Sequence, residues 1–316
     1  METADRLPEV RNRPIKGISA ILVTFDRNGQ PNLDELCQNL VRTTSSGLTP
    51  AVNMDTGYVN LLSSSQRRLV LDAAHSTGHP FVAGAFIQEM EGDPLAIYLN
   101  VASNIVEQGG IPVIFPSGWL KSLSEPRAVG VFQQIAKHIP EFIGFELGEM
   151  FVPYGRIFTL AAYRELLDIP QMTGLKHSSL SRQAEWDRLS IRNEVRADFH
   201  LYTGNDLAID MVMWGSDYLL GLSAFHPEAF ALRDCWWASG DSRFFELNDA
   251  LQYLGAFAFR PPVPAYKHSC AQFLKLRGRI ASDEPHPSGI RRPETDSEVL
   301  AHALERIESA RNLLLT

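Results

Sequence analysis

Residues 17–54 read GISAILVTFDRNGQPNLDELCQNLVRTTSSGLTPAVNM and contain one strand–helix–strand unit. The apolar run 17–24 is typical of a buried strand, and a polar turn follows it at 26–29. The spacing of apolar residues then predicts a helix over 33–45, with Asn32 as its N-cap and Glu35 three residues later. A second apolar stretch, 49–54, predicts the next strand.

The same alternation continues through residue 222. Further strands are predicted at 81–87, 111–115, 142–147, 172–176, 199–203 and 218–222, and further helices at 64–76, 94–108, 125–138, 160–167, 181–193 and 206–214. Strands that alternate with helices imply parallel pairing with right-handed crossovers. The pattern therefore predicts an α/β fold, a (β/α)₈ barrel over 17–226. A doubly wound open sheet is the rival, but the first strand lacks a glycine-rich dinucleotide loop after it.

Strand signals stop near residue 227. A Pro-rich joint at 260–264, a polar loop at 281–294 and apolar residues at helical spacing over 296–315 follow. We expect an N-terminal extension over 1–16 and a C-terminal helical appendage over 227–316, packed on one side of the barrel.

Composition and net charge indicate a globular protein and disfavour some classes of partner. The chain has 316 residues, 45% of them apolar and 21% charged, as in a soluble globular protein. Its 37 acidic and 29 basic residues give a net charge of −8, which disfavours nucleic acid and anionic membranes as partners. A polar N-terminus without an apolar core, and scattered cysteines at 37, 235 and 270, predict a cytoplasmic protein with reduced thiols.

The barrel hypothesis restricts where chemistry can occur, because active sites of such barrels lie at the C-terminal ends of the strands. Lys176 alone among the six lysines ends a predicted central strand. A lysine facing the barrel interior is desolvated, which lowers its pKa and frees the amine as a nucleophile. Position alone leaves a solvated or ion-paired lysine equally open. The other strand-end candidates are Thr24, Asp55, Thr56, Gln88, Glu89, Ser117, Glu146, Glu149, Thr203, Asn205 and Ser223.

The segment GLKHSS at 174–179 resembles the imine-forming segment of the dihydrodipicolinate synthase / N-acetylneuraminate lyase superfamily. Other pieces resemble that superfamily in the same order: AILVTF at 20–25, MDTGY at 54–58 with LS and QR following, PFVAG at 80–84, FP at 115–116, TGND at 203–206, GSDYLLGLS at 215–223 and RRP at 291–293. The resemblance covers about residues 17–310 and implies the barrel fold.

This resemblance also implies functional roles. Lys176 would form an imine with a carbonyl substrate, so that no cofactor is needed. Thr56 and Gly57 would grip the carboxylate of a 2-oxo acid, and the protein would be a homo-oligomer, a dimer or tetramer. Ser117, Asn205 and Ser223 are further candidates for substrate binding at the strand ends, with capping the default for Asp206.

The chain departs from the superfamily at several of these positions. Asp55 replaces the first threonine of the signature, and its charge would repel a 2-oxo acid unless it is protonated or paired. The tyrosine expected after strand four is absent from 116–118. Alternative alignments place Met150, Phe151 or Glu146 where the superfamily has a catalytic tyrosine, and Tyr154 lies further along the loop.

Glu146 and Glu149 are therefore candidate acid/base groups, together with Asp55. An ion pair with an arginine such as Arg156 is an equally open interpretation for each glutamate. Arg156 could instead bind a substrate carboxylate through its guanidinium fork. We expect His177 to point away from the imine, because adjacent residues of a strand face opposite sides. The triplet Lys-His-Ser recurs at 267–269, and we interpret that recurrence as a coincidence.

The sequence thus predicts a class I lyase, an aldolase or dehydratase, acting on a small hydroxylated carbonyl compound, most simply a sugar-derived 2-oxo acid. One alternative is a metal-dependent lyase or hydrolase; its possible ligands are Asp55, Glu89, Glu146, Glu149 and Asn205, although their spacing matches no familiar metal site. A barrel lysine could also hold PLP, but no phosphate-binding glycine turn follows strands seven and eight. The remaining alternative is a degenerate barrel that binds a ligand without turnover.

Overall fold

The structure, a computed structural model, describes residues 8–26, 28–88 and 92–313. Its centre is a closed barrel of parallel strands in the order β1 to β8, with β8 pairing to β1. The strands are β1 (Gly17–Ala20), β2 (Thr49–Val52), β3 (Phe81–Ala85), β4 (Gly110–Ile114), β5 (Phe142–Leu147), β6 (Met172–Ser178), β7 (His200–Thr203) and β8 (Asp217–Leu220). The predicted (β/α)₈ barrel is confirmed.

Helices alternate with these strands and continue after them. They are α1 (Leu33–Ser45), α2 (Ser64–Ser76), α3 (Pro94–Glu107), α4 (Gly118–Ser122), α5 (Glu125–Ala136), α6 (Leu160–Leu167), α7 (Arg182–Val195), α8 (Pro227–Ser239), α9 (Arg243–Ala258), α10 (Tyr266–Leu276) and α11 (Asp296–Arg311). Within the described ranges, no helix is long and apolar enough to cross a membrane.

Local sequence signals account for most of the helix starts. The Asn32 side chain accepts a hydrogen bond from the Glu35 N–H at 3.2 Å, as predicted for α1. The helix predicted over 206–214 is instead a 3₁₀ helix, Ile209–Trp214. The difference has a local cause, because the Asn205 side chain accepts a hydrogen bond from the Leu207 N–H and so competes with helix initiation.

The barrel separates two hydrophobic clusters. An inner cluster fills the barrel and includes Ile18, Val113, Ile143, Phe145 and Leu219. A larger outer cluster packs the helices against the strands. Because neighbouring residues of a strand point to opposite faces, this division also decides which polar side chains can enter the barrel.

The C-terminal region folds back over the barrel. A 3₁₀ turn, Val263–Ala265, leads directly into α10. The buried Arg292 side chain donates hydrogen bonds to the carbonyls of Ala258, Pro261 and Pro262, and so fixes the chain between α9 and α10. The start of α10 is thereby held over the C-terminal ends of the strands.

Candidate active site

A cavity of about 140 Å³ lies at the C-terminal ends of the strands, where the barrel fold predicts an active site. It is formed by loops that follow β2, β5, β6, β7 and β8 and by the segment that leads into α10. Its polar side chains are Asp55, Thr56, Lys176, Ser178, Asp206 and Tyr266. Its apolar walls are Phe145, Leu147, Met150, Phe151, Val152, Leu180, Leu207, Phe259, Val263 and Pro264.

Lys176 reaches this cavity from β6 and is 8% exposed. Its Nζ lies 4.4 Å from the centre of the Phe145 ring, and it forms no ion pair or hydrogen bond with any side chain among the described residues. Burial lowers the pKa of Lys176 to about 8, although the carboxylates of Asp206 and Asp55 oppose that shift. Of the orientations that position alone leaves open, the structure has Lys176 facing the barrel interior.

Gly204 makes room for the lysine. Its N–H donates to the His177 carbonyl at 2.9 Å, which brings the two backbones close together. A Cβ at position 204 would lie 2.8 Å from Lys176 Cε and 2.0 Å from Ser178 Oγ. A larger residue would therefore displace the Lys176 side chain from the cavity.

Asp55 lies in a short 3₁₀ helix, Asp55–Gly57, and half of its side-chain surface is exposed. Lys267 Nζ lies 2.9 Å from its Oδ1, and the Tyr266 hydroxyl donates to its Oδ2 at 3.0 Å. Burial favours the protonated acid, but Lys267 and the two hydrogen bonds outweigh it, and the pKa of Asp55 lies below its ordinary value. Asp55 is therefore an ionised carboxylate whose partner is Lys267.

Thr56 and Gly57 differ in what they can offer a ligand. Thr56 Oγ1 lies 2.9 Å from the Tyr266 hydroxyl and lines the cavity. The Gly57 N–H already donates to the Met54 carbonyl at 3.0 Å. Gly57 does not line the cavity, so its N–H is not positioned to bind a substrate carboxylate.

Asp206 lines the cavity and is a functional candidate that sequence reasoning treated as a helix cap. Its Oδ1 accepts a hydrogen bond from the Leu222 N–H at 2.7 Å. Burial raises the pKa of Asp206 to about 7, although that hydrogen bond and the charge of Lys176 oppose the shift. Asp206 is thus a carboxyl that can hold or release a proton near neutral pH.

The structure does not bring Glu146 into the cavity. Glu146 is fully buried on the outer face of β5, where Arg188 donates two hydrogen bonds of 2.7 Å to it and His177 Nδ1 lies 2.6 Å away. Burial alone would raise the pKa of Glu146, but His177 and Arg188 lower it to about 2. The alternative interpretation, an ion pair with an arginine, describes Glu146, with Arg188 in place of Arg156. His177 points outward, as predicted.

Glu149 and Arg156 also lie away from the cavity. The Glu149 side chain is 70% exposed and forms an ion pair of 3.0 Å with Lys121. Arg156 donates to the carbonyls of Leu120 and Leu123 at 2.6 and 2.8 Å. These bonds hold the Arg156 guanidinium against the backbone of α4 and the residue after it. Arg156 is therefore not positioned to bind a substrate in this cavity.

The remaining predicted binding residues use their side-chain oxygens in hydrogen bonds with the backbone. Ser117 Oγ accepts from the Leu120 N–H at 3.2 Å, and Asn205 Oδ1 accepts from the Leu207 N–H at 3.0 Å. Ser223 Oγ donates to the Leu220 carbonyl at 2.9 Å. None of these residues lines the Lys176 cavity; Ser117 lines a neighbouring one together with Tyr154.

Of the other strand-end candidates, Thr24 donates to Glu35 at 2.7 Å and Gln88 donates to the Asn60 carbonyl at 3.2 Å. Glu89 lies outside the described residues. Within the part of the chain that the structure describes, no three His, Cys, Asp or Glu side chains are grouped to hold a metal ion.

Sequence reasoning missed Tyr266 and Lys267, the first residues of α10. Both are buried, and the Tyr266 ring stacks on Phe259 with 4.2 Å between ring centres. Met150 and Phe151, which alternative alignments placed at the tyrosine position, are apolar cavity walls. The one sequence signal for these two residues is the repeated Lys-His-Ser triplet. That triplet does not indicate that α10 packs over the cavity.

Comparison with models of protein families gives no match, and neither does comparison with curated protein sequences. Solved structures do match. Dihydrodipicolinate synthase from Thermotoga maritima superposes with a TM-score of 0.78 at 17% identity, over 94% of this chain and 99% of that chain. A catalytic lysine mutant of Ruminococcus gnavus sialic acid aldolase gives 0.77 at 16% identity, over 95% and 98%.

A third solved structure extends the same pattern. The 2-keto-3-deoxygluconate aldolase of Sulfolobus sulfataricus, in complex with D-KDPG, gives a TM-score of 0.75 at 15% identity, over 93% of this chain and 96% of that chain. At such identities the likeness establishes the fold. The chain has the fold of the dihydrodipicolinate synthase and sialic acid aldolase structures, which is the fold that the sequence resemblance implies.

Proposed function

We propose that this protein is a lyase that forms an imine between Lys176 and a small hydroxylated carbonyl compound. The observation that carries the proposal is a buried lysine without an ion-pair partner among the described residues, facing a cavity at the C-terminal end of the barrel. An amine with a pKa of about 8 is uncharged in roughly a tenth of molecules at pH 7, against fewer than one in a thousand for an ordinary lysine. The uncharged amine is the nucleophile.

The environment of the second lysine explains why the reaction is assigned to Lys176. Lys267 is also buried beside the cavity, but its ammonium is bound to Asp55 at 2.9 Å. A carboxylate partner favours the charged ammonium, and the charged form is not a nucleophile. Among the described residues Lys176 has no such partner, so we assign the attack to its amine.

Imine formation needs one proton beyond those of the amine. The Lys176 nitrogen bonds to the carbonyl carbon, and the carbonyl oxygen leaves as water with one proton from that nitrogen and one from an acid. The product keeps one N–H and a positive charge on the C=N group. Asp206 lines the cavity with a pKa of about 7 and is the acid that we assign to this step.

The positive imine then draws electrons from the adjacent carbon. In an aldolase, a base takes the proton of the substrate hydroxyl, and the electrons of the C–C bond move toward the imine to give an enamine and a carbonyl product. In a dehydratase, the base takes the proton next to the imine, and the hydroxyl on the following carbon leaves as water with a proton returned by the protonated base. We assign the base role to Asp206 in its ionised form, since the group that gave the proton is the one left to accept it.

A sugar-derived 2-oxo acid is the substrate class that we propose first. The matching solved structures include a sialic acid aldolase and a 2-keto-3-deoxygluconate aldolase. Lys267 balances part of the charge of Asp55, which weakens the electrostatic objection to a substrate carboxylate in this cavity. We also propose that the enzyme is cytoplasmic, needs no cofactor and works as a dimer or tetramer.

Reductive trapping tests the proposal. The protein is incubated with pyruvate, with sugar-derived 2-oxo acids and with hydroxyacetone, reduced with borohydride, and searched for added mass by peptide mass spectrometry. We expect an adduct on the Lys176 peptide and its loss in Lys176→Arg. Lys137→Arg is the matched control, because the Lys137 ammonium hydrogen-bonds to Gln134 and lies at the end of α5, away from the cavity.

Two results would contradict the proposal. An adduct on Lys267 that survives in Lys176→Arg would show that the wrong lysine has been assigned. The second result is that folded protein forms no adduct with any carbonyl compound in the panel. That result would contradict the imine mechanism itself.

A further inference from the structure

The first turn of α10 reaches into the wall of the active-site cavity. Tyr266 Oη lies 2.9 Å from Thr56 Oγ1 and 3.0 Å from Asp55 Oδ2, and Lys267 Nζ lies 2.9 Å from Asp55 Oδ1. These contacts join residues more than 200 positions apart in the chain. The C-terminal region is thus bound to the loop after β2 by side chains that line or border the cavity.

The two oxygens of Asp55 are each occupied by one group from α10. One oxygen faces the Lys267 ammonium and the other accepts the Tyr266 hydroxyl. The Lys267 side chain is 7% exposed, and within the described residues Asp55 is its ion-pair partner. A buried ammonium requires a paired anion, so the pair holds both charges in place. Asp55 is therefore held in one orientation, and its negative charge persists to lower pH than that of an ordinary aspartate.

Charged and titratable groups surround Asp55 from several elements. Lys267 and Tyr266 face it from α10, Lys176 from β6, Asp206 from the loop after β7, Tyr58 from its own loop and Tyr154 from the loop after β5. The influence runs in both directions between Asp55 and Lys176, since each favours the charged form of the other.

Asp55 does not form a direct ion pair with Lys176. Its two oxygens are turned toward α10, and Lys176 makes no ion pair among the described residues. A direct pair would keep the lysine protonated and block its attack on a carbonyl. Holding the anion against α10 leaves the amine free and still places negative charge at the wall of the same cavity.

We propose that Lys267 and Tyr266 of α10 are positioning residues of the active site, which hold Asp55 as a fixed anion that stabilises the positively charged imine of Lys176. The inference rests on the proposed function, since it needs an imine to stabilise. Charge that develops during a reaction is stabilised most by groups that are already oriented, because they need no rearrangement. Here the orientation comes from a helix outside the barrel.

Trapping with cyanoborohydride from acid to alkaline pH tests the inference, with pyruvate and hydroxyacetone as probes. The variants are Lys267→Met, Tyr266→Phe and Asp55→Asn, each first shown to be folded by circular dichroism. Lys275→Met is the matched control, because Lys275 lies on the same helix and pairs with Asp283 at 2.8 Å, away from the cavity. At alkaline pH, where Lys176 is largely uncharged, we expect Lys267→Met and Asp55→Asn to trap about tenfold more slowly, and the control to match the unmodified protein.

The pH profile separates a positioning role from a structural one. Lys267 lowers the pKa of Asp55, so its removal should raise that pKa and move the acid limb of the trapping profile to higher pH. Tyr266→Phe removes one hydrogen bond and should move the limb in the same direction by less. Asp55→Asn cannot titrate and should lack that limb. Lys267 acts through Asp55, so Lys267→Met should add nothing to Asp55→Asn.

The outcomes distinguish this inference from the proposed function. If unmodified protein forms no adduct, the imine mechanism fails and the inference fails with it. If unmodified protein traps a carbonyl compound, but Lys267→Met and Tyr266→Phe keep its rate and its pH profile, the lyase stands and the role of α10 is overturned. Slower trapping with an unchanged pH profile would also overturn it, because a merely structural effect gives that result.

Discussion

Asp55 and Asp206 show how the surroundings of a residue decide its chemistry. Both line the same cavity, and burial acts on both in the same direction, toward the protonated acid. Asp55 receives a lysine and a tyrosine from α10, which lower its pKa. Asp206 receives backbone N–H groups and the more distant charge of Lys176, and its pKa rises to about 7. One aspartate is thus an anion near neutral pH, and the other is suited to proton transfer.

Asp206→Asn should alter stability in a pH-dependent way. A carboxyl whose pKa rises to about 7 on folding binds its proton more tightly in the folded state, so the folded state loses stability as pH rises from about 4 to 7. The amide cannot ionise and keeps an oxygen for the Leu222 N–H. We expect the variant to be more stable than unmodified protein by roughly 1 kcal/mol or more above neutral pH, and near equal to it at about pH 4.

Urea unfolding at mildly acid and mildly alkaline pH measures this difference. Asp198→Asn is the control, because Asp198 is 81% exposed and lies 3.8 Å from its arginine partner. The same variant should trap carbonyl compounds more slowly near neutral pH, where Asp206 supplies the proton. A stability difference that does not depend on pH would contradict the assignment of a raised pKa to Asp206.

At the level of elements, the alternation of β5 and β6 sorts the polar residues between two faces. Phe145 pairs with Lys176 on the inner face, and Glu146 pairs with His177 on the outer face. The outer pair meets Arg188 from α7, so β5, β6 and α7 are joined by one buried charged network. The alternation that predicts an outward His177 also predicts an outward Glu146, once the register of β5 against β6 is known.

Glu146→Gln should destabilise the barrel and leave the cavity intact. The change leaves the buried charge of Arg188 uncompensated, which costs about 3 kcal/mol or more. The pKa of Glu146 is lowered to about 2, so its contribution to stability is present above its ordinary pKa and is lost as pH falls toward 2. The difference between variant and unmodified protein should therefore shrink in acid.

Urea unfolding and reductive trapping on the same samples test this prediction. Glu194→Gln is the matched control, because Glu194 is 67% exposed and pairs with Arg164 on the surface. Trapping per folded molecule should be close to that of unmodified protein. A large loss of trapping by a stable Glu146→Gln variant would instead show that Glu146 takes part in the reaction.

The sequence predicts those parts of the site whose positions depend on local structure. The strand-end rule places Lys176, Asp55 and Thr56 correctly in the cavity, because the ends of parallel strands meet at one rim. Glu149 and Arg156 fail since residues of a long loop have no fixed period. Tyr266 and Lys267 depend on how α10 docks, and a helical pattern does not encode its partner. Asp206 can be identified in the sequence, but its position at the start of a predicted helix indicates a capping role.

On the scale of the whole molecule, the barrel and the C-terminal helices share buried polar contacts. The Tyr218 hydroxyl of β8 donates to Asp234 of α8 at 2.7 Å, and the Gln252 side chain of α9 donates to the Asp206 carbonyl at 3.1 Å. Arg277, just after α10, donates to the Phe225 carbonyl at 2.9 Å. Separating the two regions would leave these buried polar groups unpaired, and each costs about 1–3 kcal/mol in that state. The two regions should therefore unfold together.

Cys270 provides a probe of the C-terminal region alone, because it lies on α10 and is 0% exposed. In a protein with Cys37→Ser and Cys235→Ser, a thiol reagent reports when α10 opens, and far-ultraviolet circular dichroism reports when the helices of the whole chain are lost. We expect both signals to change at the same urea concentration. Reaction of Cys270 at lower urea, with most of the helical signal intact, would show that α10 detaches first. Tyr266 and Lys267 would then leave Asp55 unpaired, so carbonyl trapping should fall at that lower concentration while the barrel remains folded.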